Sequence, residues 1–356
     1  MKSMSSSKQF VSIILLLTLI IYESPLQANV TLEHRKGHVV IEVVDVDGKP
    51  ISGAKIKYVQ TNHSFLFGVG MTRPTPPFHH PYSLYRKLRE VGINYALPWL
   101  SWGHIEPEPG MYNWKFVDEL YMPAKLKELG YTLVAHCFIW FYDKYGNIPR
   151  YLYSLSFKDF LKAVYRHTYD VVKHYKGIIT YWTINEPLMH NPFRFTREQW
   201  IRVFKVAAKA IKDADPEGKI MVVIWPTSMP HVKYEPFETL SLLVHNGVEF
   251  DVIGVEFYPI GNIPRDHEGY PSIPWISILL ERLFRTFRRP IIISETSVPN
   301  KPSEEAQARW LRRLYTLAFI KPYVKGVVWY FLTAVSYTHL RAHETEADLV
   351  CRLLLE

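Results

Sequence analysis

Eight short apolar runs, separated by longer amphipathic stretches, follow one another along most of this 356-residue chain. The runs are rich in β-branched and aromatic residues, and several of the stretches carry apolar residues three and four positions apart, as helices do. The predicted strands are Phe65–Met71, Ile93–Leu97, Thr132–Phe138, Ile179–Asn185, Lys219–Trp225, Asp251–Phe257, Pro290–Glu295 and Gly326–Phe331. The predicted helices include Phe116–Leu129, Phe157–Tyr175, Arg197–Ala214 and Ser303–Phe319.

This alternation of strand and helix predicts parallel strands joined by right-handed crossovers. Eight units over about 270 residues have the size of a closed barrel rather than an open doubly wound sheet. No glycine-rich phosphate loop follows a predicted strand, because Gly68-Val69-Gly70 alone is too short a motif. The sequence therefore predicts an α/β fold, a (β/α)8 TIM barrel over residues 63–335, and disfavours a nucleotide enzyme.

The two ends of the chain carry segments that differ from the barrel pattern. Two lysines precede the apolar run Phe10–Tyr22, which is short for a membrane span. This pattern is typical of a secretory signal peptide over residues 1–28, with an uncleaved membrane anchor as the alternative. We therefore expect a secreted, extracellular protein without stable membrane association after signal cleavage. Residues 336–356 resemble translated sequencing-adapter read-through, and we expect this tail to be foreign to the native protein.

Residues 29–62 predict a small β appendage ahead of the barrel. The β-rich runs 39–46 and 54–60 flank Asp47-Gly48-Lys49-Pro50, which has the composition of a turn. A lone hairpin is marginal in water, so we expect this one to pack on the main domain.

The charged residues and the cysteines argue against a nucleic-acid-binding protein and against a disulfide-stabilised fold. The net charge is +8, but the chain has no block of five like charges and no nucleic-acid motif, so we expect a solvated surface and no nucleic-acid partner. One of its two cysteines, Cys351, falls in the suspected tail, so we expect a fold without disulfides and a buried thiol at Cys137. His79 and His80 have no third ligand at a useful spacing, and we expect no metal site there.

Two of the predicted strands end in glutamate. The fourth ends in Asn185-Glu186-Pro187, and the seventh ends in Glu295. In a parallel barrel the functional groups lie at the carboxyl ends of the strands. A charged side chain after several apolar residues is costly to bury unless it is paired or lines a cavity. Both glutamates are therefore candidate site residues, with an ordinary ion pair as the alternative for each.

A pair of carboxyls at these two strand ends suits the hydrolysis of a glycosidic bond with retention. That reaction needs two carboxyls about 5–5.5 Å apart, of which one donates a proton and the other attacks the anomeric carbon. The fourth and seventh strands face each other across a barrel mouth, so Glu186 and Glu295 can approach. Like charges raise the pKa of one carboxyl and keep it protonated as the acid.

The motifs around these residues resemble glycoside hydrolase family 10, the β-1,4-xylanase family, over roughly residues 39–335. The similar segments are FLFGVG, ALPWLSWGHIEPEPGMYNW, LVAHCFIWF, IPRYL and HYKGIITYWTINEP. The resemblance implies that Glu186 is the acid/base, that Glu295 is the nucleophile and that Asn185 binds the 2-hydroxyl of the cleaved sugar. The reaction requires neither a metal nor another cofactor.

The same resemblance implies sugar contacts for three further residues, His136, Trp140 and Trp99. The chain departs from the family at other positions: Pro98 replaces a lysine, Phe141 replaces a histidine, and the fifth strand ends in IWPTS. These departures fall among substrate-contacting positions, so they leave the sugar open.

The ends of the sixth and eighth strands carry further candidates for the site. Glu256-Phe257-Tyr258 stands where the family has Gln-x-His, and Tyr258 resembles the tyrosine that hydrogen-bonds the nucleophile in related barrels. We expect Glu256 to bind sugar hydroxyls or to tune its neighbours, with a structural ion pair as the alternative. Trp329 is a candidate aromatic platform for the sugar, with a place in the core as the alternative.

Together these features predict a retaining endo-acting hydrolase of β-1,4-linked plant-wall polysaccharide. Xylan is the first expected substrate, and β-glucan and mannan are alternatives. A carbohydrate-binding barrel without activity and a transglycosylase, which shares the covalent intermediate, also stay open. We expect a polysaccharide partner and a monomer, although the sequence leaves the oligomeric state open.

Overall fold

The computed structural model describes residues 32–37, 39–58, 60, 62–70, 81–227 and 235–330. Within these ranges, eight parallel strands pair in chain order and the first pairs with the last, which closes the barrel. The strands are β1 (Leu66–Gly70), β2 (Tyr95–Leu97), β3 (Thr132–Ile139), β4 (Tyr181–Asn185), β5 (Lys219–Ile224), β6 (Val252–Phe257), β7 (Ile291–Thr296) and β8 (Val324–Trp329). The predicted (β/α)8 TIM barrel is confirmed.

Helices occupy most of the segments between the strands. They are α1 (Tyr82–Glu90), α2 (Trp102–Ile105), α3 (Trp114–Tyr121), α4 (Pro123–Glu128), α5 (Phe157–His174), α6 (Arg197–Ala214), α7 (Pro236–His245), α8 (Ile273–Phe287) and α9 (Glu304–Ile320). Side-chain caps start three of the long ones: the hydroxyls of Ser156, Thr196 and Ser303 accept backbone N–H groups of the first turn. Such caps satisfy donors that the helix itself leaves unpaired.

The helix predicted over Phe116–Leu129 is in fact two helices. Met122 adopts a left-handed backbone conformation, with a φ of 49°, and ends α3. Pro123 then begins α4, because proline lacks the N–H that a continuing helix would need but fits a first helical position.

The core has two layers, separated by the wall of the barrel. The inner layer fills the barrel with side chains from seven of the strands: Leu66, Tyr95, Leu97, Val134, Met221, Val223, Val252, Ile292 and Val328. A larger cluster contains the strand residues of opposite parity together with the buried faces of the helices. Cys137 is a free, buried thiol within this larger cluster.

A buried cluster around Glu106 connects the segment after β2 to α5. The Glu106 carboxylate accepts hydrogen bonds from His167 Nδ1 at 2.8 Å, Arg166 at 2.5 Å, the Gly110 N–H at 2.6 Å and Trp102 Nε1 at 3.1 Å. The side chains of Glu106 and His167 are both fully buried. The first and last residues of the segment Glu106-Pro107-Glu108-Pro109-Gly110 are therefore joined by a structural contact.

The predicted N-terminal hairpin is wrong as a pair of strands. Residues 39–46 and 54–60 form no strand where they are described, and one antiparallel bridge joins Val44 to Pro50. Asp45 closes the turn by accepting the N–H groups of Asp47 and Lys49. Apolar side chains here stay exposed, Val40 at 93%, and a hairpin without a covered apolar face does not extend its ladder.

The chain divides into two compact units after Val39. The first contains a single 3-10 turn, Glu33–Arg35, among its described residues. Residues 40–62, predicted as part of the appendage, belong to the same unit as the barrel.

Several predictions concern residues outside the described ranges. They are the signal peptide at 1–28, the foreign tail at 336–356, and the loop with His79 and His80. Within the described ranges, no helix is long and apolar enough to cross a membrane.

Candidate active site

The carboxyl ends of the eight strands meet at one rim of the barrel, and the two predicted catalytic carboxyls lie there. Glu186 follows directly on β4, and Glu295 is the penultimate residue of β7. Each residue is only 8% exposed. Because a buried carboxyl needs donors or a proton, the neighbours of each residue decide what charge it can carry.

Glu295 is surrounded by polar groups from two other strands. The Tyr258 hydroxyl donates to its Oε2 at 2.7 Å, and His136 Nε2 lies 3.3 Å from its Oε1. Burial raises the pKa of Tyr258 well above its ordinary value, and the charge of Glu295 raises it further. The phenol therefore stays protonated as a donor, an arrangement that favours an ionised Glu295.

Glu186 has a different set of neighbours. Trp140 Nε1 donates to its Oε2 at 2.7 Å, and His190 Nε2 lies 2.9 Å from the same oxygen. The backbone of Glu186 is left-handed, with a φ of 45°, and its N–H donates to the Val223 carbonyl on β5. Both side-chain contacts of Glu186 thus involve the same oxygen, Oε2.

Glu256 adds a third carboxyl to the mouth. It lies in β6, is 5% exposed and is the register partner of Glu295 on β7. Burial raises the pKa of Glu256 well above its ordinary range, and the charges of Glu295 and Glu186 raise it further. A neutral acid at this position can donate a hydrogen bond to a neighbouring carboxylate.

Aromatic side chains line the mouth beside the carboxyls. The Trp99 ring meets His136 edge-on at 5.0 Å and Trp140 at 6.0 Å between ring centroids. Trp225, just after β5, stacks on Tyr258 at 5.6 Å. Indole and phenol faces suit the apolar C–H faces of a sugar ring.

Tyr330 completes this wall from the end of β8. Its hydroxyl lies 3.2 Å from His136 Nε2, and its ring contacts that of Tyr258 edge-on. A Cβ on Gly70, at the end of β1, would clash with the Tyr330 carbonyl oxygen. Glycine at position 70 therefore lets the two strand ends approach this closely.

Most of the predicted site residues come together at this rim. The mouth contains Glu186, Glu295, Glu256, Tyr258, His136, Trp140 and Trp99. Asn185, at the end of β4, is 4% exposed, and its Oδ1 has no hydrogen-bond partner among the described residues. A buried amide oxygen without a partner is suited to accept a substrate hydroxyl.

Trp329 is the exception, because the structure places it in the core and away from the mouth. It is 4% exposed and packs in the larger cluster outside the barrel wall, while its neighbour Val328 points into the barrel. Side chains alternate along a strand, so the next residue, Tyr330, takes the place at the mouth. The platform predicted for Trp329 is therefore corrected to a core position.

Sequence reasoning missed three residues at the site, His190, Tyr330 and Trp225. The alternation of side chains along β8 could have indicated Tyr330. Trp225 ended a predicted strand, but no function was predicted for it. His190 comes four residues after Glu186 in an irregular segment, where the sequence offers no periodic pattern.

No group of three or more histidine, cysteine, aspartate or glutamate side chains is arranged to hold a metal ion in the part of the chain that the structure describes.

Comparison with known proteins yields a family and several relatives. The model of "Glycosyl hydrolase family 53" matches residues 139–317, half of the chain. The chain is 28% identical over 318 residues to the anti-sigma-I factor RsgI6 of Acetivibrio thermocellus, covering 87% of this chain and 39% of that protein. It is 23% identical to endo-1,4-beta-xylanase 1 of Arabidopsis thaliana, covering 83% of this chain and 30% of that protein. The chain thus spans well under half the length of these relatives.

Solved structures share the barrel. Xylanase 10B from Thermotoga maritima superposes with a TM-score of 0.58 at 18% identity, covering 75% of this chain and 83% of that one. The GH53 catalytic domain from Ignisphaera aggregans superposes with a TM-score of 0.58 at 20% identity, covering 75% of this chain and 84% of that one. A structure of fungal beta-1,4-galactanases superposes with a TM-score of 0.51 at 18% identity, covering 69% of this chain and 80% of that one. At these identities the likeness shows the fold alone.

A closed barrel with carboxyls at the ends of β4 and β7 has the arrangement expected of a glycoside hydrolase, and the match of the family model confirms that class. By the match of its family model, the chain belongs to glycosyl hydrolase family 53. The predicted resemblance to family 10 is confirmed at the coarser level of a glycoside hydrolase barrel, whereas membership of family 10 itself is not confirmed.

Proposed function

We propose that this glycoside hydrolase cleaves β-1,4-linked plant-wall polysaccharide within the chain and with retention, using Glu186 as acid/base and Glu295 as nucleophile. The observation that carries the proposal is that each carboxyl has its own set of polar neighbours at the barrel mouth. Two carboxyls in different surroundings can hold different protonation states, which the two roles require.

In the first step, a Glu295 oxygen bonds to the anomeric carbon while the glycosidic C–O bond breaks. The proton of Glu186 passes to the departing oxygen, so the leaving sugar departs as a neutral alcohol. Tyr258 and His136 hold Glu295 in place for the attack, and the hydrogen bond from Trp140 fixes the orientation of Glu186. The product is a glycosyl ester of Glu295.

In the second step, the ionised Glu186 takes a proton from water as that water attacks the anomeric carbon. The ester C–O bond breaks, and Glu295 leaves as a carboxylate. Both residues return to their starting protonation states. We assign Asn185 to the 2-hydroxyl of the sugar, because its buried Oδ1 supplies an acceptor.

Xylan is the first candidate substrate, because several curated relatives are named as xylanases. β-1,4-Galactan is the second candidate, because a galactanase structure shares the barrel. Trp225 stacks on Tyr258 in a part of the wall where the sequence departs from family 10, so β-glucan and mannan belong in the same panel.

The test is release of reducing sugar from these four polysaccharides by the purified protein. We expect activity on at least one, and loss of that activity in Glu186→Ala and Glu295→Ala. Glu249→Ala, an exposed glutamate outside the site, is the matched control and should keep full activity. Binding without turnover by the folded protein would favour a carbohydrate-binding barrel instead.

Leaving-group dependence separates the two roles. An aryl glycoside with a strongly acidic phenol leaves without protonation, so Glu186→Ala should still form the glycosyl-enzyme rapidly from it, and azide should accelerate turnover by attacking the ester. Glu295→Ala should react with neither kind of substrate. Reversed behaviour of the two variants would exchange the roles.

Secretion stays a prediction, because the signal-like segment lies outside the described residues. Detection of the mature protein in the medium of an expressing host, with an N-terminus near residue 29, would test it.

A further inference from the structure

Glu256 is a buried carboxyl that the double displacement does not use. It lies in β6 beside its register partner Glu295 on β7, and both residues are less than a tenth exposed. As register partners on adjacent strands, the two residues lie side by side, and burial together with the charges of Glu295 and Glu186 raises the pKa of Glu256. The mouth of the barrel thus contains three interacting carboxyls rather than two.

A hydrogen bond between two carboxyls requires a proton, because two carboxylates only accept and repel each other. The surroundings show which of the pair carries that proton. Glu295 receives the Tyr258 hydroxyl at 2.7 Å and lies 3.3 Å from the His136 imidazole, contacts that favour its ionised form. Glu256 instead has the carboxyl-bearing Glu295 as its register partner, and burial together with the charges of Glu295 and Glu186 raises its pKa.

We propose that Glu256 is a positioning residue that keeps its proton at neutral pH and donates it in a hydrogen bond to Glu295. The inference rests on the proposed role of Glu295 as the nucleophile. With Glu186 protonated before the first step, the three carboxyls share two protons and one negative charge, which lies on Glu295. That distribution is the one the attack on the anomeric carbon requires.

The other titratable groups around this cluster fit the same distribution. Tyr258 lies two residues after Glu256, just beyond the end of β6, and burial raises its pKa well above the ordinary value, so it is a neutral donor. His136 from β3 lies against Glu295, and the Tyr330 hydroxyl after β8 lies against His136. In the ranges described, neither lysine nor arginine forms an ion pair with Glu256, so its negative charge would lack a fixed counter-charge.

A protonated Glu256 has a direct consequence for the geometry of the reaction. Its O–H and the phenol of Tyr258 are donors to the same carboxylate, which restricts the rotation of Glu295. Glutamine has nearly the same shape as a neutral glutamic acid and can donate through its amide. Glu256→Gln therefore preserves the contact, whereas Glu256→Ala removes it.

The test compares Glu256→Gln and Glu256→Ala with the unmodified protein on the polysaccharide that the panel identifies. We expect Glu256→Gln to keep kcat within about threefold and to leave the alkaline limb of the kcat/KM profile in place. Glu256→Ala should lower kcat by about tenfold or more, the loss expected for one hydrogen bond to a charged group. Glu249→Gln, on the exposed surface, is the matched control.

Infrared spectroscopy can detect the proton on the Glu256 carboxyl in the absence of substrate. At neutral pH the folded protein should show the carbonyl stretch of protonated carboxylic acid, and one component of that band should disappear in Glu256→Gln. A merely structural role for Glu256 would not place its carbonyl stretch in this band.

Three results would overturn the proposal. The infrared band could be the same in Glu256→Gln, or Glu256→Ala could be as active as the unmodified protein. The alkaline limb of Glu256→Gln could also move down by about one pH unit, which is expected if the substitution removed a negative charge beside the acid/base. Failure of the proposed function looks different: Glu295→Ala would stay active, or no polysaccharide would be cleaved, while the infrared result would still report on Glu256.

Discussion

The hydroxyl of Tyr258 donates a 2.7 Å hydrogen bond to Oε2 of Glu295, and so links the end of β6 to the end of β7. Both residues are more than nine-tenths buried, Tyr258 at 8% and Glu295 at 8% exposure. A hydrogen bond to a charged group in such surroundings is stronger than one between neutral groups. This contact therefore fixes the oxygen of the proposed nucleophile in position.

Removal of this hydroxyl should slow the reaction without unfolding the protein. Tyr258→Phe keeps the ring and its stacking on Trp225 but loses the donor, and we expect kcat to fall by about 10- to 100-fold, as for one charge-assisted hydrogen bond. Steady-state kinetics and a thermal melt measure the two effects. Tyr153→Phe, which removes a hydroxyl from a half-exposed ring, should change neither. Full activity in Tyr258→Phe would exclude a positioning role.

His190 should matter for the other carboxyl. Its Nε2 lies 2.9 Å from Oε2 of Glu186, and its ring stacks on Tyr142 at 4.4 Å. Loss of this contact leaves Trp140 as the remaining polar contact of that oxygen among the described side chains, so we expect His190→Ala to lower kcat by about tenfold. His245→Ala, at an exposed histidine, is the control. Equal kcat values for the two variants would contradict the assignment.

The Glu106 cluster should carry part of the stability of the barrel. Its carboxylate accepts hydrogen bonds from Arg166, His167, Trp102 and Gly110, and removal of one partner of a buried charge cluster costs about 3–5 kcal/mol. Because the Arg166 side chain is 45% exposed and can regain water, we expect Glu106→Ala to cost about 3 kcal/mol, the lower end of that range.

Denaturant unfolding measures this loss, and Glu119→Ala in an exposed i,i+4 pair is the control, which should leave the midpoint unchanged. A Glu106→Ala variant as stable as the control would show that the cluster does not contribute.

His167 predicts a loss of stability in mild acid. Burial lowers the pKa of His167 below its ordinary value, although the hydrogen bond to Glu106 acts in the opposite direction. Its Nε2 is buried without a hydrogen-bond partner among the described residues, which fits a neutral ring that donates through Nδ1. Below about pH 6.5, His167 therefore binds a proton in the unfolded chain but stays neutral in the folded chain. Acidification then favours unfolding.

Thermal unfolding midpoints measured between pH 7 and pH 5 test whether acid lowers the stability. We expect the midpoint to fall as the pH is lowered, and to fall less steeply in His167→Gln, which can still donate to Glu106 but does not titrate. Parallel curves for the two proteins would assign the acid sensitivity to other groups.

The order of strands and helices could be predicted from the sequence, because each apolar run and each amphipathic stretch has its own period. The predicted helix Arg197–Ala214 has the same bounds as α6. The hairpin at 39–60 failed for a physical reason: β propensity makes a strand only where a partner strand and a covered face exist.

The residues of the candidate site likewise include some that the sequence could predict and some that it could not. Strand-end positions were predictable, because a closed parallel barrel brings all carboxyl ends to one rim. The error at Trp329 came from strand parity, since a shift of one residue exchanges the two faces of a strand. His190 was not predictable, because an irregular segment positions it through backbone turns that leave no periodic trace.

Covalent trapping tests the central claim most directly. A 2-deoxy-2-fluoro glycoside with an activated leaving group, made on the sugar that the panel identifies, should accumulate as an ester because the fluorine slows the second step more than the first. We expect the protein to gain the mass of one fluorosugar, and a protease digest to locate that mass on Glu295. Rapid turnover without any adduct, or an adduct on another residue, would contradict the assignment of Glu295 as the nucleophile.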